Sequence, residues 1–410
     1  MICPEPSELQ ELVRDLHRQA TPWLPAGSGS RLAWGPAVQA GPGQSEPLVL
    51  STARLNRILS FSPEDFTVTV QAGTPLVALQ QELAHHRQWL ALDWPWGSGP
   101  DGSASGSVGG LVARGLAGGA RQRYLGVRDQ LIGIGLMRAD GTAARAGGQV
   151  VKNVAGYDLM RLLAGSWGSL ALISELTLRT LPIPPERRGL WLQGPADELA
   201  AMARWLLDSS LSPERIDWQH TAPSAGSGLD TPASPSGGLL LSLASISAQT
   251  LEEQITCIRE RAPGLVVDEL DATGLNQHLG AGLGQASSAG PEPGPPSWLL
   301  RLGVRPTLLE TLLQERALAP IPWCFAAGSG LGMAWAAADQ LASHQVEQLR
   351  RRCSELGGHL TVLRQPACSA IPAWLDAPSR PAIEAIKRQF DPKQQLARGR
   401  LPGVEPGFPG

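Results

Sequence analysis

Two short loops rich in glycine and serine constrain this chain most, because such loops present mainly backbone N–H groups. The first is PAGSGS at residues 25–30, and the second is SGSVGG at residues 105–110. Glycine permits close backbone approach, and consecutive N–H groups can surround an anion. Either loop alone is more often a plain turn. Two of them, separated by a strand and a helix, favour a site that holds a pyrophosphate from more than one side.

The first loop does not match the G-x-G-x-x-G fingerprint of a Rossmann fold. Gly27 and Gly29 fit the pattern, but Leu32 stands where the third glycine belongs. Pro22 and Pro25 interrupt the segment in which a long apolar strand would have to precede the loop. A Rossmann enzyme that uses NAD is therefore disfavoured.

Composition excludes several classes of protein. The chain has 410 residues and a net charge of −3, which disfavours a nucleic-acid-binding surface. Its length suggests about two or three domains. There is no apolar run of the length that spans a membrane, and the start of the chain lacks the apolar core of a signal peptide. We therefore expect a cytoplasmic protein, with peripheral attachment to the inner membrane only through partners.

The cysteines and histidines do not form a ligand pattern. The sequence contains five cysteines and seven histidines. The cysteines lie far apart, so no C-x-x-C pair or iron–sulfur spacing exists. This spacing predicts free thiols and no metal site.

Two segments of the N-terminal part have clear strand patterns. FTVTVQA at residues 66–72 alternates apolar and polar side chains, which predicts a half-buried strand. LIGIGLM at residues 131–137 predicts a second strand, and Asp140-Gly141 after it predicts a hairpin turn.

After residue 185 the pattern changes to strand, helix, strand. The predicted strands are 191–193, 215–219, 239–245, 264–270, 298–304, 322–328, 331–337 and 359–365. Four such units in tandem predict either two ferredoxin-like α/β sandwiches or one continuous antiparallel sheet covered by four helices. The fold class is therefore α+β.

Five segments carry a resemblance to a known family. They are PAGSGS, GSVGGLVARGLAGG, GVRDQLIGIGLMRADG (126–141), KNVAGYDL (152–159) and IKRQFDPKQQLARGRLPG (386–403). Together they resemble the PCMH-type FAD-binding domain of the vanillyl-alcohol oxidase and p-cresol methylhydroxylase family. KNVAGYDL resembles the glycolate oxidase E-subunit family in particular.

The resemblance implies a domain arrangement. Residues 1–185 would form a two-subdomain PCMH-type FAD-binding domain, and residues 186–385 an α+β cap or substrate domain. Residues 386–410 would return to the FAD-binding domain. Two segments poor in large apolar residues, near 221–238 and 280–297, are expected to be disordered inserts.

The resemblance also implies the residues that bind FAD. The first loop would contribute backbone amides, and so would the second. Gly118 would lie near the flavin ring, and Ile173 near the adenine. Because the first loop has no histidine, the FAD would be bound non-covalently. The implied amide donors are Ala26, Gly27, Ser28, Gly29, Ser30, Ser107, Val108, Gly109 and Gly110.

The catalytic residues are not identified by the sequence. Related glycolate and D-lactate dehydrogenase subunits carry an H-x-G-D-G-N-x-H motif, which this sequence lacks. A hydroxy-acid dehydrogenase needs a cation for the carboxylate and a base for the hydroxyl proton. The candidates are Arg121, Lys152, Tyr157 and His359, each of which more often has a structural or solvent-exposed role.

Three functions remain open on the sequence. The first is an FAD-binding subunit of a dehydrogenase complex that oxidises glycolate or another 2-hydroxy acid. Its partners would be a larger flavoprotein D subunit and an iron–sulfur F subunit, which would receive the electrons. The second is a non-catalytic scaffold or relay subunit that binds flavin. The third is a stand-alone FAD-dependent oxidoreductase with another substrate.

Overall fold

A computed structural model describes the chain as residues 1–41, 43, 46–93, 106–148, 158–220, 237–283 and 297–405. Lys152 and Tyr157 lie outside the described residues, as does most of the two predicted inserts. The disorder expected for those inserts stays a prediction.

The N-terminal region is built on a five-stranded antiparallel sheet with the order β3-β4-β8-β6-β7. Its strands and those of two small sheets are β1 Trp23–Ala26, β2 Leu48–Ser51, β3 Ile58–Ser62, β4 Thr67–Gln71, β5 Gln88–Trp89, β6 Leu131–Met137, β7 Ala143–Gly147, β8 Leu172–Arg179 and β9 Leu181–Pro182. The helices are α1 Leu9–Arg18, α2 Leu76–His85, α3 Val108–Arg114, α4 Arg121–Tyr124, α5 Val127–Gln130 and α6 Leu159–Leu163.

Strand β6 and its hairpin with β7 confirm the predicted strand and turn, and Gly141 has the positive φ that the turn requires. Strand β4 differs from its prediction, because both of its faces are buried rather than one. It lies between β3 and β8, and Val68 and Val70 pack into the apolar core. On its other face, the hydroxyl groups of Thr69 and Thr177 are 3.0 Å apart and share a hydrogen bond. Threonine tolerates burial when its hydroxyl has a partner, so the polar face needs no solvent.

The second region, which we call the cap, is a single eight-stranded antiparallel sheet with helices. The strands are β10 Glu186–Gln193, β11 Arg215–His220, β12 Gly237–Ser245, β13 Val266–Leu270, β14 Ser297–Gly303, β15 Trp323–Ala326, β16 Leu331–Ala337 and β17 His359–Arg364. The helices are α7 Ala196–Asp208, α8 Ala248–Arg261, α9 Ala272–Leu283, α10 Leu309–Leu313 and α11 Ser343–Glu355. All eight strands expected after residue 185 are therefore confirmed.

The strand order combines the two architectures that the sequence left open, the pair of ferredoxin-like sandwiches and the single continuous sheet. It reads β13-β10-β12-β11-β15-β16-β14-β17. Each half has the strand–helix–strand repeat of a ferredoxin-like sandwich, and β11 pairs with β15 to make one continuous sheet. The predicted fold class is confirmed.

The two faces of the cap sheet differ in chemistry. One face packs against the helices in a large apolar core that includes Leu190, Ile216 and Leu300. Alternating positions point the other way, and Arg215, Asp217, Gln219 and Cys324 are buried there. This second face, which we call the polar face, also carries the apolar side chains of Leu299 and Met333, and it lies over the N-terminal region.

The C-terminal part of the chain packs against the N-terminal region. After helix α12, Arg380–Phe390, the chain runs beside β1. Trp23 N donates to Gln395 O at 2.8 Å, and Ala397 N donates to Trp23 O at 2.9 Å. Buried Lys387 donates to Asp391 at 2.6 Å and to the carbonyl oxygens of Ser169 and Leu396. The domain boundaries at residues 185 and 385 stay a prediction.

The five cysteines are free thiols, as expected. In the part of the chain that the structure describes, we find no helix with the length and apolar character that crossing a membrane requires.

Candidate functional site

The two glycine-rich loops meet in one cleft. Residues 26–30 line it together with Ser107 and Gly110. Gly27 packs so closely on Ser107 that a Cβ added to it would lie 2.0 Å from Ser107 Oγ. The absence of a side chain at residue 27 therefore allows the loops to touch.

Hydrogen bonds to the carbonyl groups of the first loop fix the direction of two of its N–H groups, those of Gly27 and Ser28. Ser51 Oγ donates to Gly27 O at 2.7 Å, and Thr52 N donates to Ala26 O at 2.8 Å. A trans peptide places its N–H opposite its C=O. The N–H groups that follow these carbonyls therefore point away from strand β2. Among the described residues, none accepts a hydrogen bond from the N–H groups of Gly27, Ser28, Gly29 or Ser30.

The second loop contributes fewer open N–H donors than the sequence suggested. Three of its four predicted amide donors already bond within the protein. Val108 N donates to Thr74 O at 3.0 Å, Gly109 N to Ala72 O at 2.7 Å and Gly110 N to Ser107 Oγ at 3.1 Å. Their N–H groups are therefore not open donors, and the expectation of three free amides here is corrected. Ser107 N has no acceptor among the described residues.

Close packing, rather than an open N–H group, explains why residue 109 is a glycine. A Cβ there would lie 2.7 Å from the Cβ of Ala72. Helix α3 can therefore begin directly against the end of β4. Ser107 precedes this helix as its N-cap, with its hydroxyl bonded to Gly110 N.

Three arginines surround the same cleft, namely Arg31, Arg114 and Arg400. Arg114 donates to Arg31 O at 2.6 Å, and its guanidinium carbon lies 3.9 Å from the ring centre of Trp167. Arg400 donates to the carbonyl oxygens of Leu32 and Pro36, each at 2.9 Å. In the described part of the chain, neither Arg114 nor Arg400 is paired with a carboxylate.

Burial and mutual repulsion affect the acidity of these groups. Burial lowers the pKa of Arg31 and of Arg400 to about 10. The pKa of Arg114 is lowered further, by burial first and then by the charges of Arg400 and Arg31. Three clustered cations beside a row of open N–H groups create a field that favours an anion with several charges. The arrangement fits the diphosphate of FAD.

Sequence reasoning missed Arg114 and Arg400. Both stand in glycine-containing segments that the resemblance already included, GLVARG and ARGRLPG. The sequence signal that could have identified them is an arginine beside glycines in each of two distant segments.

An ion triad connects the N-terminal region to the cap. Asp93 accepts hydrogen bonds from Gly118 N at 2.6 Å and Ala120 N at 3.0 Å. Arg215 of the cap donates to Asp93 at 3.0 Å and to Asp217 at 2.8 Å. The triad therefore fixes the segment that includes Gly118, whose N–H is already bonded.

A cavity of about 560 Å³ lies between the N-terminal region and the cap. Arg114 and Trp167 line it, as they line the cleft of the two loops. Arg301 of β14 and His359 of β17 contribute from the polar face of the cap sheet. Burial lowers the pKa of Arg301 to about 10, with a further contribution from Arg121.

The remaining predicted residues are placed as follows. His359 lines this cavity from the exposed start of β17, and desolvation together with Arg301 lowers its pKa, which favours the neutral ring near pH 7. Arg121 begins helix α4 with an exposed side chain and acts on Arg301 through its charge. Ile173 is buried in the core of the five-stranded sheet. Lys152 and Tyr157 are outside the described residues.

Residues 1–147 match the protein-family model for the FAD binding domain. This similarity supports FAD as the cofactor of the N-terminal region.

Curated relatives extend this similarity. The chain is 34% identical over 209 residues to the glycolate oxidase subunit GlcE of Escherichia coli K12, covering 50% of this chain and 55% of that protein. It is 36% identical over 189 residues to the D-2-hydroxyglutarate dehydrogenase of Xanthomonas citri pv. viticola, covering 46% of this chain and 38% of that one. The chain thus spans about half the length, or less, of the relatives it matches. The resemblance to the glycolate oxidase E subunit is confirmed.

Solved structures show the fold of almost the whole chain. Alkyldihydroxyacetonephosphate synthase superposes with a TM-score of 0.65 at 14% identity, covering 96% of this chain and 75% of that one. The cap and the N-terminal region therefore share an arrangement with that protein.

Proposed function

We propose that this chain is an FAD-dependent oxidoreductase subunit that acts on the CH–OH group of a small 2-hydroxy acid, with glycolate as the first candidate. The observation that carries the proposal is the cleft in which open N–H groups meet three arginines. Similarity to glycolate oxidase and hydroxy-acid dehydrogenases supports the class of substrate.

In this proposal the diphosphate of FAD lies against the first loop. Gly27, Ser28, Gly29 and Ser30 donate from their backbone N–H groups, and Arg114 and Arg400 balance the charge. Ser107 N adds a donor from the second loop. Because the first loop contains no histidine, the flavin is held without a covalent bond.

The cofactor, when bound, supplies the acceptor for a hydride from the substrate carbon. The protein orients the reacting groups and excludes water. Asp93 fixes the segment around Gly118, and the polar face of the cap sheet closes over the N-terminal region. A neutral His359 in the same cavity is suited to accept the hydroxyl proton.

Electrons are proposed to leave through partners. The E and D subunits of glycolate oxidase are both among the relatives. We propose a larger flavoprotein subunit and an iron–sulfur subunit as partners, because the five cysteines of this chain have no cluster spacing. Attachment to a membrane would then come from the partners.

A second candidate function is a flavin-binding relay subunit that does not hold the substrate. The absence of the H-x-G-D-G-N-x-H motif from the sequence favours it. In that case the flavin would be retained but would not be reduced by glycolate in the isolated chain.

The first experiment tests the FAD site by charge. Ser28 is exposed, so Ser28→Asp should fold while placing a negative charge beside the diphosphate. We expect a loss of FAD affinity of tenfold or more, measured by titration of flavin fluorescence. Ser28→Asn is the matched neutral control and should retain most of the affinity. Equal affinity of both variants would refute the loop assignment.

The second experiment tests the reaction. The purified chain with FAD is mixed with glycolate in the absence of oxygen, and the visible flavin band is followed. Bleaching supports direct oxidation by this chain. A band that stays oxidised, but bleaches once D-like and F-like partners are added, supports the relay function.

A further inference from the structure

A half-buried cation lines the cavity between the N-terminal region and the cap, and it has no partner among the described residues. The guanidinium of Arg301 lies on β14 and faces this cavity of about 560 Å³. Among the described residues, no side chain or carbonyl forms a hydrogen bond or ion pair with it. The nearby Asp93 is already bonded to Arg215 and to two backbone N–H groups. A partly desolvated charge left in this way costs free energy unless a ligand compensates for it.

The surroundings of Arg301 are suited to one carboxylate. Thr361 stands directly beside it on β17 and lines the same cavity, so that its hydroxyl can donate to the same anion. Gly303, two residues along β14, leaves space that the ring of His359 fills. Leu363 and Trp374 provide apolar walls. A guanidinium binds both oxygens of a carboxylate at once.

We propose that Arg301 and Thr361 bind the carboxylate of a small organic acid in this cavity. The inference rests on the proposed function and names the residues that would recognise its substrate. Arg301 is thereby a substrate-binding residue, and a neutral alcohol of the same size is not a ligand. The cavity shares Arg114 and Trp167 with the cleft of the two loops, which brings the bound acid next to the proposed FAD site.

The test uses binding rather than turnover. Oxalate, which cannot be oxidised as an alcohol, is titrated into the chain with FAD bound, and the heat of binding is measured. Glycolamide serves as the neutral counterpart of glycolate. We expect oxalate and glycolate to bind and glycolamide to bind at least tenfold more weakly.

Arg301→Gln separates a binding role from a structural one. We expect oxalate affinity to fall at least tenfold, while the melting temperature without ligand rises, because an uncompensated buried charge has been removed. Arg301→Lys should retain part of the affinity, and Thr361→Val should lose several-fold. Arg316→Gln is the control, since that arginine is exposed and remote from the cavity lining.

The outcomes distinguish this inference from the proposed function. Loss of FAD from the unaltered chain refutes the proposed function. Retained FAD with equal oxalate affinity in the Arg301 and Arg316 variants overturns the carboxylate site alone. An altered flavin spectrum in Arg301→Gln, with oxalate binding intact, also overturns it and assigns the guanidinium to the flavin. If Arg301→Gln does not fold, the lysine and valine variants decide, and unchanged affinity in both overturns the site.

Discussion

At the scale of single residues, unpaired charges identify this site better than any motif. Arg400 is buried and Arg114 and Arg301 are half-buried, yet each is bonded only to carbonyl groups or to no group in the described structure. Proteins seldom keep such cations without an anion. Three of them around neighbouring cavities therefore indicate where negatively charged ligands bind.

Asp217 gives a prediction about pH. Burial raises its pKa to about 6, Arg215 opposes the rise and Asp93 adds to it, while Oδ1 has no partner among the described residues. The folded chain thus holds this proton more tightly than the unfolded chain, whose aspartate has a pKa near 4. The contribution of Asp217 to stability is therefore full below about pH 4 and is lost as the pH rises through 6, about 3 kcal/mol in all.

Asp217→Asn should remove this dependence, since the amide stays neutral and still offers an oxygen to Arg215. The free energy of unfolding in urea is measured for both proteins between pH 4 and pH 7. The difference between them should change by about 2 kcal/mol over this range. Parallel plots of the free energy of unfolding against pH for the two proteins would contradict the raised pKa of Asp217.

At the scale of elements, the sequence predicted strands well and contacts poorly. The eight cap strands and β6 followed from runs of apolar residues, which depend only on local sequence. The pairing of β11 with β15 did not, because strand order depends on which edges meet. The prediction that the second loop offers several open N–H donors was wrong for the same reason. Ala72 and Thr74, which accept from Gly109 and Val108, lie more than thirty residues earlier.

The C-terminal helix offers a test of a buried ion pair. Lys387 donates to Asp391 at 2.6 Å and to two carbonyl oxygens, in a position closed to solvent. Lys387→Met leaves Asp391 buried without its cation, so we expect a loss of about 3 kcal/mol of stability. Urea unfolding measures the loss.

Lys393→Met is the control for that substitution. Lys393 is exposed, and within the described structure it donates only to His17 O, at 3.0 Å. It should change the free energy of unfolding by less than about 0.5 kcal/mol. Similar losses in the two variants would show that the buried pair adds little.

At the scale of the whole molecule, an apolar cluster that includes Trp167 and Trp335 holds the cap onto the N-terminal region together with polar contacts. Tyr124 donates to Glu214, which Arg187 also binds through two hydrogen bonds of 2.8 Å. Burial raises the pKa of Glu214, but the Arg187, Tyr124 and Ser242 donors outweigh it and lower the pKa overall. The carboxylate is therefore ionised and binds both regions at neutral pH.

Tyr124→Phe should loosen this interface without disturbing either core. We expect a loss of about 1 kcal/mol and a several-fold faster release of FAD. Ser242→Ala removes a hydrogen bond of 2.7 Å to the same carboxylate from within the cap. It should cost similar stability but leave the rate of FAD release unchanged. Equal release rates in the two variants would argue against a role for the interface.

The C-terminal segment beside β1 also orders events during synthesis on the ribosome. His17 and Gln395, whose side chains meet at 2.8 Å, are 378 positions apart in the chain. The emerging N-terminal region must therefore wait, with one side of β1 uncovered, until nearly the whole chain has been translated. The cap, whose paired strands are closer in sequence, can form earlier. A nascent chain halted before residue 391 should thus contain a folded cap and no stable flavin site.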